Sequence, residues 1–211
     1  MPTAFIWGAA GGIGGATVKH LKTNGWTVYG AARNLEKIPA NADDKFAFDA
    51  ADPESYKEIA LLLAQQGAAL DLVVYAAGGI QADTLEKLGA DTWTQVMDAN
   101  LNGAYLGVQS LLHLVPKSGH VMVIGAYVHK ITLPKFGAYT AAKAALEPMM
   151  TIFAKENRRK QFTLVRPPAV DSAFWENVPF NMPDGALAPE AVAEAILERY
   201  NSDGKDLLLD L

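Results

Sequence analysis

Short apolar runs alternate with longer stretches of helical periodicity along the whole chain. Thr3–Trp7, Thr27–Ala31, Phe46–Phe48, Leu70–Ala76, His120–Ile124 and Phe162–Val165 read as strands, with a last strand over Asp206–Asp210. They are nearly continuously hydrophobic rather than strictly alternating, as a parallel strand must be when helices cover both faces of its sheet. The 3.6-residue pattern predicts helices over Gly14–Thr23, Pro53–Gln66, Ala90–Leu114, Tyr139–Lys160 and Pro189–Asn201. Pro148 lies inside the fourth and predicts a kink or local break, because proline lacks the backbone donor and crowds the preceding turn. The alternation makes the chain α/β, one domain over residues 1–211 without repeat or linker. One stretch lacks periodicity, Asp171–Leu187, and carries Phe174, Trp175, Pro179, Phe180, Met182 and Pro183. It reads either as a mobile substrate lid over 171–188 or as a surface loop whose aromatics pack on the core.

Composition narrows the class. With 50% hydrophobic and 19% charged residues, the 211-residue chain can fill a sizeable core. It has no cysteine, which removes disulfides, thiol nucleophiles, iron–sulfur clusters and cysteine-ligated zinc, and fits a reducing cytoplasm. The first eight residues have no basic leader of the secretory kind. A net charge of −5 argues against nucleic acid as partner, since phosphate binding needs clustered cations. The one short cluster, Arg158, Arg159 and Lys160, reads as the solvated end of a helix. Ala99–Pro116 is uncharged, but Asn100, Asn102, Gln109, Ser110 and His113 interrupt it, so it reads as a buried or subunit-facing helix rather than a membrane span. His20, His113 and His120 show no metal-ligand spacing, and no metal is expected.

The chemistry sits in three places. The first strand runs into Gly8-Ala9-Ala10-Gly11-Gly12-Ile13-Gly14 and then directly into a helix. Glycines let a diphosphate approach the backbone, and the amides and dipole at a helix N-terminus stabilise its charge. In this strand–turn–helix context the motif points to a dinucleotide; alone it is a tight turn. After the second strand no acidic residue stands ready for a ribose 2′-hydroxyl. Arg33 stands there instead, a planar cation suited to a 2′-phosphate, with Lys37 nearby, which favours NADP(H) over NAD(H). Finally, Tyr139 and Lys143 stand at i and i+4 near a helix start. A neighbouring cation can lower a phenol's pKa, so this pair can donate a proton to a carbonyl oxygen or accept one from an alcohol.

Taken in order, the glycine turn, Arg33, Asn100, Tyr139 and Lys143 resemble the short-chain dehydrogenase/reductase family over essentially the whole chain. The resemblance implies a doubly wound Rossmann domain with a parallel seven-stranded sheet, and hydride transfer at the carboxyl ends of its strands. It makes Tyr139 the acid/base, Lys143 its partner and ribose anchor, and Asn100 the support of a proton relay through water. Cofactor contacts then fall on Gly8, Ala10, Gly11, Gly12, Ile13 and Gly14, on Arg33, Asp49 and Ala50, and on Ala76, Ala77 and Gly78. Pro167, Val170 and Ser172, in a segment where Pro168 replaces the usual glycine, complete the set. It also implies a homodimer or homotetramer built through the uncharged helix and the Tyr139 helix.

Three departures stand out. Tyr75-Ala76-Ala77-Gly78 replaces Asn-Asn-Ala-Gly, losing side-chain anchoring, and Trp7 replaces the usual threonine before the turn, which must be braced differently. Ala126 stands thirteen residues before Tyr139, where the family has its substrate-polarising serine, and a methyl cannot stabilise an oxyanion. Three readings follow, in order of preference: the substrate needs only Tyr139, a neighbour such as Tyr127 or His129 substitutes, or the protein is a catalytically silent NADP(H)-binding regulator. Dihydropteridine reductase, a subgroup with alanine at that position and an Ala-Gly-Gly like Ala77-Gly78-Gly79, is similar and reduces an electrophilic quinonoid pterin. Ala126, Tyr127, Phe174 and Trp175 are the candidate substrate contacts.

Overall fold

The computed structural model describes residues 1–211. Seven strands form one parallel sheet: β1 (Thr3–Trp7), β2 (Thr27–Ala32), β3 (Asp44–Ala47), β4 (Leu72–Tyr75), β5 (His120–Ile124), β6 (Gln161–Arg166) and β7 (Leu208–Asp210). Their spatial order is β3-β2-β1-β4-β5-β6-β7, so the winding reverses between β1 and β4. The crevice at that reversal, beyond the strands' carboxyl ends, is where open α/β sheets bind ligands.

Seven helices flank the sheet: α1 (Gly12–Thr23), α2 (Pro53–Gln65), α3 (Ala90–Met97), α4 (Gly103–Leu111), the single turn α5 (Val128–Ile131), α6 (Gly137–Glu156) and α7 (Pro189–Asn201). The two-residue period of each strand sorts its side chains between two cores. Phe5, Trp7, Val73, Tyr75, Val121 and Val123 pack with Tyr56, Leu63, Val108, Leu146 and Phe153 of α2, α4 and α6. Their neighbours Ala4, Ile6, Leu72, Val74 and Met122 pack with Val18, Leu21, Val192 and Ile196 of α1 and α7. Burial on both faces accounts for the continuous apolar runs.

Two helices differ from the sequence reading. The stretch expected as one helix over Ala90–Leu114 is interrupted at Asp98–Asn102 by a π-helical turn between α3 and α4. Side chains have entered its ladder: the Asn100 amide donates to the Val96 carbonyl, 2.8 Å, and the Tyr75 hydroxyl to the Ala99 carbonyl, 3.0 Å. The helix holding Pro148, by contrast, continues unbroken from Gly137 to Glu156. Pro148 and Ala144 are both exposed, so the carbonyl that proline leaves without its helical donor lies where water can reach it.

Segment 171–187 carries local structure of its own. Val170 and Leu187 form a β-bridge, flanked by Asp171 N–H to Leu187 O and Leu187 N–H to Ala169 O, both 2.8 Å. A short 3₁₀ turn over Ala173–Asn177 follows, capped by Ser172, whose Oγ accepts from the Phe174 amide.

Candidate functional site

The glycine turn shows on backbone grounds why each glycine is there. Gly8 has φ +80°, and a Cβ on it would stand 2.5 Å from the Ala77 amide nitrogen, so the turns after β1 and β4 are in contact. A Cβ on Gly14 would stand 2.8 Å from the Gly8 carbonyl carbon, and one on Gly12 would stand 2.9 Å from Ser172 Cβ. The Gly8 and Ala9 amides donate to the Ala31 carbonyl at 2.9 and 3.0 Å. The Trp7 indole is fully buried and donates 3.2 Å to the Gly107 carbonyl. Gly11 caps α1, whose first turn holds no acidic residue, leaving its amides favourable to an anion.

Tyr75 pairs with Trp7 across β1 and β4, and its hydroxyl reaches across to hold the Ala99 carbonyl beside Asn100. Asn100 is 1% exposed; its amide nitrogen donates to the Gly79 and Val96 carbonyls, and its Oδ1 has no protein partner.

A cleft of about 580 Å³ opens at the carboxyl ends of β1, β4, β5 and β6. It brings together Gly11, Gly12 and Ile13 of the turn, Ala76, Ala77 and Gly78 after β4, Asn100, Ala126, Tyr127, Tyr139 and Lys143. Pro167, Val170, Ser172, Phe174 and Trp175 close the other side. Gly8, Ala10 and Gly14 lie behind this lining, and Arg33, Asp49 and Ala50 lie beyond it, just past the carboxyl ends of β2 and β3. Arg33 is exposed and makes no side-chain hydrogen bond or ion pair.

Lys143 is 6% exposed, donates 2.8 Å to the Ile124 carbonyl, and lies 5.7 Å from the centre of the Tyr139 ring. Burial lowers its ammonium to a pKa of about 8. Burial also pushes the Tyr139 phenol above its ordinary range, in the opposite direction to the depression expected from the Lys143 spacing. The phenol is a firmly protonated donor at neutral pH. Phe174 packs on Tyr139 with ring centres 5.3 Å apart, and Trp175 holds the loop down by donating 2.9 Å to the Val170 carbonyl.

His129 is exposed and outside the cleft. Tyr127 lines the cleft, but its hydroxyl donates 3.2 Å to the Leu211 carbonyl, and the Arg166 guanidinium stacks 5.6 Å from the ring centre. Sequence reading missed Lys130 and Ile131 of α5, which contribute to the lining, as do Pro183–Ala186 within the 171–188 segment. The one signal for the α5 pair was its spacing of four and five residues beyond Ala126.

Residues 2–182 match the family of short chain dehydrogenases. An uncharacterised oxidoreductase of Staphylococcus aureus (strain MW2) is 28% identical over 206 residues, covering 92% of this chain and 88% of its own length. An alcohol dehydrogenase of the archaeon Thermococcus sibiricus, solved with 5-hydroxy-NADP, superposes with a TM-score of 0.89 at 26% identity, over 100% of this chain and 96% of its own. A short-chain dehydrogenase of Streptomyces avermitilis superposes with a TM-score of 0.87 at 25% identity, over 100% and 87%. With the sheet order, the switch-point cleft and a match over most of its length, the chain belongs to the short chain dehydrogenase family of oxidoreductases.

Proposed function

We propose that the protein is an NADPH-dependent reductase of activated carbonyl or quinonoid substrates, with Tyr139 as its proton donor. The observation that carries this reading is the buried Lys143 ammonium beside the Tyr139 phenol, in one cleft with the glycine turn. A nicotinamide dinucleotide, when bound, supplies the hydride or takes it in the reverse direction. Its diphosphate suits the carboxylate-free start of α1 at Gly11, Gly12 and Ile13, where a Cβ on Gly12 would crowd Ser172. The partnerless fork of Arg33 suits a 2′-phosphate, with Asp49 and Ala50 toward the adenine, and Pro167, Val170 and Ser172 toward the nicotinamide. That the archaeal relative was solved with an NADP derivative supports the same cofactor class.

Tyr139 holds its proton at neutral pH and gives it to the carbonyl oxygen. Lys143 favours the phenolate so formed, and the unpartnered Asn100 Oδ1 offers an acceptor for proton replacement. With Ala126 in the cleft and the Tyr127 hydroxyl committed elsewhere, no side chain stands in for the family's serine, so the acceptor must itself be electrophilic. The Phe174 and Trp175 rings suit a planar or apolar substrate, with segment 171–188 acting as its lid. Exposed Tyr105 of α4 and Ile152 of α6 would meet a second copy in a homodimer or homotetramer.

NADPH consumption across α-dicarbonyls, quinones, aromatic ketones and quinonoid pterins tests this. Tyr139→Phe is expected to lower kcat by about 10²–10⁴-fold with cofactor affinity kept, and equal turnover would remove Tyr139 from the chemistry. Arg33→Ala is expected to weaken NADPH by about tenfold or more and NADH little; equal weakening would refute the 2′-phosphate role. Tight cofactor binding without turnover on every substrate would favour a silent NADP(H)-binding regulator.

A further inference from the structure

A second pocket, of about 310 Å³, lies at the amino ends of β5 and β6, the opposite end of these strands from the cleft. It gathers Arg158, Arg159 and Lys160 from the end of α6 with Arg199 of α7 and Lys205 beyond it, and none of its twelve lining residues is acidic. Five of the chain's 18 basic residues thus converge in a protein of net charge −5, and none of the five is in an ion pair. The trio read from sequence as a solvated helix end is therefore one wall of a concavity.

Two of the five cations are held in place by the fold. Lys160 donates to the Val115 carbonyl and Arg199 to the Asp206 carbonyl. The guanidinium of Arg199 also donates 3.3 Å from Nε to Thr163 Oγ1, and it lies where a Cβ on Gly204 would collide with it. Arg158, Arg159 and Lys205 have no hydrogen-bond partner and present free donors.

His120 completes the lining. It is 1% exposed, and its Nε2 lies 2.8 Å from Thr163 Oγ1. That oxygen also accepts from Arg199, so His120, Thr163 and Arg199 form one linked network at the floor of the recess. The His120 Nδ1 is buried and has no protein partner. Three free cations and a fixed guanidinium thus converge on one recess whose lining holds no carboxylate.

We propose that this pocket binds the phosphate group of a small phosphorylated molecule, at a site separate from the reaction cleft. A recess of this size fits a phosphate ester or diphosphate better than a polymer backbone, which is met by an extended basic surface.

Calorimetric titration of the full chain with inorganic pyrophosphate, in buffer free of phosphate and sulfate, tests the proposal. The triple variant Arg158→Ser, Arg159→Ser, Lys205→Ser is expected to lose at least tenfold in affinity while keeping its Tm, since these side chains support no hydrogen bond. In the parent, the His120 ring nitrogen resonances are expected to move with the titration. Absence of binding, equal binding by the variant, or unmoved His120 resonances would overturn the proposal. So would a single-stranded oligonucleotide that binds more tightly than pyrophosphate and is lost in the triple variant, because the ligand would then be nucleic acid.

Discussion

At the scale of single residues, the site is defined as much by groups turned away from it as by those facing it. Tyr127 lines the cleft, yet its hydroxyl is held by the Leu211 carbonyl. Tyr127→Phe is therefore expected to leave kcat unchanged against the substrate panel; a loss comparable to that of Tyr139→Phe would make Tyr127 the missing polarising group. Tyr139 and Lys143 were legible because a helix brings i and i+4 to one face, and the glycine turn because its sequence order is also its order in space. The Tyr75–Ala99 link was not, since it joins residues 24 apart in sequence through a register between β4 and the π turn that local periodicity does not encode. The sense of the Tyr139 shift was missed for a related reason: spacing reveals the nearby cation, whereas desolvation depends on the aromatic loop that closes over the ring.

Among elements, the π turn at Asp98–Asn102 matters most, because it sets Asn100 under the Gly79 carbonyl. It depends on Gly103, where a Cβ would lie 2.6 Å from the Asp98 carbonyl oxygen and collide with the Tyr75 hydroxyl. Glycine to alanine inside a helix ordinarily stabilises by about 0.5–1 kcal/mol. Gly103→Ala is expected to reverse the sign and cost about 1–3 kcal/mol, read as a lower urea midpoint. Gly15→Ala, with only ordinary contacts waiting for its Cβ, serves as the control and should be neutral or stabilising. The strands were legible within a residue or two because burial on both faces leaves continuous apolar runs, whereas the turn was hidden inside a pattern that reads as uninterrupted helix.

For the whole molecule, the two ends of the sheet carry different chemistry: a partly apolar reaction cleft at the carboxyl ends and a cationic recess at the amino ends. The recess was unreadable in sequence because Arg199 and Lys205 are some forty residues from Arg158 and meet it only when α7 and β7 close the sheet. Its buried His120 also ties folding to pH. Burial and the adjacent Arg199 hold the imidazole neutral down to a pKa of about 4, against 6.5 for a free histidine, with Thr163 and Tyr200 as its other neighbours. Between those values the unfolded chain binds the extra proton, so this contribution is complete above pH 6.5 and is lost as the pH falls toward 4. Its expected size is on the order of 3 kcal/mol, read from urea midpoints at pH 7 and 4.5; a His120→Gln variant should show a shallower acid dependence.

The bridge between Val170 and Leu187 gives the aromatic loop a closed neck. Between those two residues the chain can change in length or content while both ends stay clasped, because loop closure grows costlier only slowly with added residues. None of the strand-to-strand hydrogen bonds that hold the sheet together passes through it. The segment is in effect an interchangeable cassette, a place where a lineage or an engineer could rebuild one wall of the cleft without reopening the question of whether the chain folds.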